Sequence, residues 1–152
     1  MAETNSVQMA KVLGAPNAKL QPNETGGRSR IMFGQVTSIA GAINDTIYFG
    51  RIPGGSRITG VTINNAAGTA SSTLAIGVRK TSDKSGAVPA GLSAATAINA
   101  AQGVPALTGS LVNAGQTYVT PYEVDVYGTI AGAATPASPG QLISVTVHYV
   151  ND

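Results

Sequence analysis

Apolar and polar residues alternate most cleanly between residues 46 and 79 and again near the C-terminus. Leu74, Ile76 and Val78 are interleaved with Thr73, Ala75, Gly77 and Arg79, and Val61 and Ile63 with Gly60, Thr62 and Asn64. This is the period-2 pattern of a half-buried strand. Ile143, Val145, Val147 and Tyr149 alternate in the same way with Ser144, Thr146 and His148. Between Ile52 and Ile58 lies Pro53-Gly54-Gly55-Ser56, where proline fixes one turn dihedral and the glycines accept positive φ. The spacing predicts strands over residues 31–40, 46–52, 58–65, 72–79, 107–112, 117–120, 122–127 and 142–150. Residues 80–105, rich in Ala, Ser and Gly, read as a long irregular stretch. Within it, 92–101 (LSAATAINAA) predicts about two helical turns capped by Ser93.

About eight antiparallel strands with glycine-rich turns and at most one short helix predict an all-β sandwich or barrel of the jelly-roll kind. Residues 1–30 differ from the rest: they hold Pro16, Pro22 and Gly26-Gly27 and show little periodicity. They predict an extended N-terminal arm, followed by a single β-sandwich domain over 31–152. The arm's one apolar run is residues 7–13 (VQMAKVL), whose side chains gain little on a free monomer and so point to a partner.

Composition narrows the function more than the fold. A chain of 152 residues with no cysteine needs no staple and offers no thiolate for a metal or a nucleophile. No apolar run is long enough to span a membrane, and the N-terminus lacks the basic start and apolar block of a secretory signal. Charged residues make up 11%, which argues against a strongly basic nucleic-acid binder. Their distribution is uneven. All nine Lys and Arg lie between Lys11 and Lys84, while residues 91–152 carry only Glu123, Asp125 and Asp152. A basic half and an acidic half favour association with a second copy or with an acidic partner.

The kit for catalysis is sparse. His148 is the only histidine, so a triad or zinc site lacks its usual parts. Glu123 and Asp125 stand i and i+2 on a predicted strand, roughly 6.6 Å apart, a spacing open to a hydrolase acid pair or to calcium. Alternating acids on the wet face of an edge strand are the commoner arrangement, and that is the reading adopted. Gly54-Gly55-Ser56-Arg57 lacks the phosphate-loop pattern. Arg79, Lys80 and Lys84 form one basic cluster and Arg28 and Arg30 another, without interleaved aromatics; Tyr118, Tyr122 and Tyr127 are all that a sugar-binding platform can draw on. No catalytic residue, cofactor or metal is expected, and the chain reads as non-enzymatic.

The segment Ile47-Tyr48-Phe49-Gly50, Arg51-Ile52-Pro53-Gly54-Gly55-Ser56-Arg57-Ile58, Val61-Thr62-Ile63-Asn64-Asn65 and Ser72-Thr73-Leu74-Ala75-Ile76-Gly77-Val78 resembles the head decoration, or cement, proteins of tailed bacteriophages. The resemblance covers about a quarter of the chain and rests on rhythm and spacing; the terminal ISVTVHYV strand is similar in style. It implies a jelly-roll or tulip-shaped β-domain on the outer capsid surface, made in the host bacterial cytoplasm. There it would be a homo-dimer or homo-trimer, binding the major capsid protein and clamping neighbouring subunits against the pressure of packaged DNA. Neither nucleic acid nor membrane would be a partner. No arm residue matches a family contact individually; the capsid-contact candidates, taken from the arm and its junction with the domain, are Met9, Lys11, Val12, Leu13, Lys19, Arg28 and Arg30. The alternative is a fibre, tail or receptor-binding module whose 80–105 loop contacts a host glycan.

Overall fold

The structure is a computed structural model, and it describes Lys19, residues 27–115 and residues 117–151. Eight strands follow in order: β1 (Arg28–Ser38), β2 (Thr46–Ile52), β3 (Arg57–Asn65), β4 (Thr73–Lys80), β5 (Val88–Ala97), β6 (Gln102–Pro105), β7 (Val124–Ala131) and β8 (Gln141–Asn151). They form two four-stranded sheets, ordered β1-β8-β3-β6 and β2-β7-β4-β5, and every pairing is antiparallel. The pairs β1·β8, β2·β7, β3·β6 and β4·β5 nest inside one another. One long hairpin of chain, bent between β4 and β5 and rolled into a sandwich, gives this arrangement, which is the jelly roll.

The alternation read from the sequence places the core. Ile143, Val145, Val147 and Tyr149 of β8 point inward, as do Leu74, Ile76 and Val78 of β4 and Ile58, Val61 and Ile63 of β3. Val124, Val126 and Ile130 of β7 complete the facing layer. Burying side chains of this size stabilises the fold by roughly 1.5–3 kcal/mol each before entropy is counted.

Three predicted elements differ from the structure. Residues 92–101 are not helical; they belong mostly to β5, where Leu92 and Ser93 are fully buried. Ten alanine-rich residues make a marginal helix, whereas the open edge of β4 has a full row of backbone groups to satisfy. β5 takes that edge through an irregular register, in which Leu74↔Thr96, Ile76↔Ser93 and Val78↔Val88 leave extra residues on its side. Residues 107–112 form turns rather than a strand; Gly109, Ser110 and Leu111 donate to the carbonyls of Leu92, Ala90 and Gly91. Residues 117–120 contribute only an isolated bridge, Arg57↔Val119. Among the described residues there is no helix. β1 begins at Arg28, three residues before the predicted start, because Arg28, Ser29 and Arg30 pair with Asn151, Val150 and Tyr149.

Gly77 shows how tightly β5 lies on β4. A Cβ there would stand 2.6 Å from the carbonyl oxygen of Pro89 and press on that of Val88, both rigid backbone. Gly77→Val is therefore expected to lower stability by about 3 kcal/mol, by lifting the start of β5 off the sheet. Hydrogen exchange should show new opening confined to residues 86–93; unchanged protection there would contradict the contact.

Candidate interaction surface

The jelly roll sorts the loops between its two ends. The start of β1, the end of β8, the β2–β3 turn, loop 81–87 and segment 106–123 share one pole. Loops 39–45, 66–72, 98–101 and 132–140 share the other. Hydrogen bonds tie each group together. At the first pole Asn151 donates to Gly54 O at 3.2 Å and to Ser56 Oγ at 2.7 Å, and Thr120 Oγ1 donates to Pro53 O at 2.7 Å. At the second, the buried side chain of Gln141 donates to Ala66 O and Ile98 O at 2.9 and 2.6 Å. Asn65 Nδ2 reaches Ile98 O and Ala100 O at 3.0 and 2.8 Å.

A charge cluster stands at the first pole, centred on Asp125. β7 lies between β2 and β4, and the register sets Asp125 opposite both Arg51 and Arg79. Its carboxylate is 1% exposed. Arg51 Nε lies 3.3 Å from Oδ1, Arg79 Nε lies 3.6 Å from Oδ2, and Lys84 Nζ makes a short contact with Oδ2. Thr81 Oγ1 donates to Oδ1 at 3.1 Å. Burial pushes the Asp125 pKa up; hydrogen bonds from Lys84 and Thr81, with the fields of Lys84 and Arg51, outweigh it and leave the group below its ordinary value. Arg79 also sits over the Tyr127 ring, 5.0 Å from its centroid, and Lys80 over the Tyr122 ring at 5.6 Å. Glu123, half-exposed just before β7, meets Arg51 at 3.9 Å.

Glu123 and Asp125 therefore do not form a paired acid site, and they do not lie on an edge strand as the sequence suggested. β7 is a central strand, and Asp125 is neutralised by three cations while Glu123 stays near solvent. The sequence clustered Arg79, Lys80 and Lys84 correctly. It missed Arg51, which joins them only through the pairing of β2 with β7. A cleft of 160 Å³ beside the cluster is lined by Val78, Val88, Leu111, Tyr118 and Tyr122. Among the described residues, no group of three His, Cys, Asp or Glu side chains is placed to hold a metal ion. His148 lies on the outer face of β8, its ring against Gly60 of β3.

Of the predicted contact residues, Met9, Lys11, Val12 and Leu13 lie outside the described residues. Lys19 is exposed and outside any strand, and Arg28 and Arg30 are exposed at the start of β1. Neither arginine makes an ion pair among the described residues. A different surface runs along the outer face of β1, where Ile31 and Phe33 are 59% and 61% exposed. Gln35 and Thr37 continue the stripe, beside Leu142, Ser144, Thr146 and His148 of β8. No Lys, Arg, Asp or Glu lies on this stripe.

No protein-family model matches this chain, and no curated protein matches it. Solved structures do. A chain in the capsid of Ralstonia phage GP4 superposes with a TM-score of 0.65 at 20% identity, over 83% of this chain and 86% of that one. A chain in the capsid asymmetric unit of cyanophage Pam1 gives a TM-score of 0.59 at 23% identity, over 100% of both. At these identities the likeness shows a shared fold.

Proposed function

We propose that the protein is a non-enzymatic structural component of a tailed-phage virion, one that binds the outside of the capsid and cements neighbouring major capsid subunits. The observation that carries this reading is the fold shared, over the whole of both chains, with a chain of the Pam1 capsid assembly. The decoration-protein rhythm of residues 47–78 supports it independently, and so does the division of the surface into a charged pole and an uncharged sheet face. Cementing needs binding without turnover, and the charge cluster among the described residues is a set of ion pairs around one buried carboxylate. The uncharged stripe along β1 gives a homo-dimer or homo-trimer a surface that meets its own copy without like-charge repulsion.

The experiment is co-sedimentation of the purified protein with expanded heads stripped of accessory proteins. Saturable binding, with heads that then withstand higher temperature before releasing DNA, is the expected result. Binding to a glycan array with no affinity for heads would replace this reading with that of a host-recognition module.

A further inference from the structure

We infer that the pole where β1 begins and β8 ends is the docking end, and that its occupant is an acidic protein surface. The inference rests on the capsid-binding reading and specifies which end of the molecule makes the contact. The fold concentrates charge there. Arg28 and Arg30 lie at the start of β1, Arg51 lies one residue before the end of β2, and Arg57 begins β3. Arg79, Lys80 and Lys84 add the end of β4 and its following loop. Against these seven cations stand, among the described residues, Asp83, Glu123 and Asp125, which offset Lys80, Arg51, Arg79 and Lys84 in part and leave a formal excess of +4 at this pole. The four loops of the opposite pole carry one charged residue, Asp45. The chain is therefore strongly polar from end to end, though its overall formal charge is only +2.

Charge complementarity selects the partner. A second copy presenting the same pole is repelled. A nucleic-acid backbone favours a continuous cationic track with stacking aromatics. Here the exposed carboxylates of Glu123 and Asp83 interrupt the cations, and Lys80 is paired with Asp83 at 3.3 Å. A mostly acidic protein surface with scattered cations fits such a mixture. β1 begins at this pole, so the sequence before it joins the β-body there, and 26 residues span at most about 94 Å when extended. An arm and a basic end thus address one partner together.

The test compares Arg28→Glu/Arg30→Glu with Ala70→Glu/Ala137→Glu, two exposed alanines of the opposite pole. Head binding is measured from about 50 to 300 mM salt, a range over which surface charges become largely screened, and thermal melts confirm that both variants fold. The arginine variant should bind about 30-fold more weakly at low salt with a flatter salt dependence, and the alanine variant should stay within about twofold of wild type. Salt-independent wild-type binding with an unaffected arginine variant would overturn the inference and leave the capsid reading standing. Wild type that binds no heads would overturn both. Duplex or single-stranded DNA bound as tightly as heads would overturn the choice of a protein partner.

Discussion

Replacing Asp125 with asparagine is expected to destabilise the β-body by about 3 kcal/mol at neutral pH, in the range for removing one partner of a buried ion pair. The change is isosteric, so no cavity opens; what disappears is the negative charge facing three cations. Arg51 and Lys84 are about half exposed and can turn toward water, which limits their share. Arg79 is three-quarters buried, lies over Tyr127, and finds no hydrogen-bond partner for Nε, so it carries most of the loss. For a chain of this size the thermal midpoint should fall by roughly 6–12 °C.

The pH dependence follows from the sign of the Asp125 shift. A carboxyl whose native pKa is depressed contributes its stability above the unfolded value of about 3.9, and loses it as pH falls through the native value. Wild type and Asp125→Asn should therefore differ by a constant amount from about pH 5 to pH 8, and converge below about pH 4. Denaturant titrations across this range measure it. Equal midpoints at pH 7 would show that the cluster contributes nothing.

The second large effect concerns binding. Deleting residues 1–26 should weaken head binding more than about 100-fold, because anchored arms repeated over an oligomer gain through effective concentration. The melting temperature should be nearly unchanged, since every described strand begins at or after Arg28. Deleting residues 1–30 is a poorer experiment. It removes three residues of β1 together with their pairing to Tyr149, Val150 and Asn151, and so mixes loss of contact with loss of fold. A 27–152 fragment that binds heads like the full chain would remove the arm from the account.

The sequence was most legible where side chains do two jobs at once. In β8 and over residues 61–65 of β3, β-branched residues mark the strand and their alternation marks its buried face, so pattern and structure agree. In β4 the inward Leu74, Ile76 and Val78 were legible, but Ala75 and Gly77 are buried as well because β5 and β7 flank the strand. β5 was hidden because its alanines favour helix and its Ala and Gly are both poor strand formers, and only the unpaired edge of β4 makes it a strand. Asp125 was misplaced for a related reason. Whether a strand is central or at an edge depends on partners far away in sequence, and nothing around residues 122–127 announces that β2 and β4 flank β7. The charge polarity of the poles is equally non-local. It arises because the rolled hairpin brings Arg28, Arg51, Arg57 and Arg79 to one end while the alanine-rich loops gather at the other. The uneven charge along the chain was a one-dimensional trace of that arrangement.

The most direct test of the central claim is a reconstruction of mature phage heads assembled in cells that express this chain. The account predicts density for this jelly roll on the outer capsid surface in stoichiometric amounts, with the β1 start and the β2–β3 turn facing the shell and residues 1–26 lying between major capsid subunits. Heads that lack this chain, or that carry it only on a fibre or tail, would contradict the account.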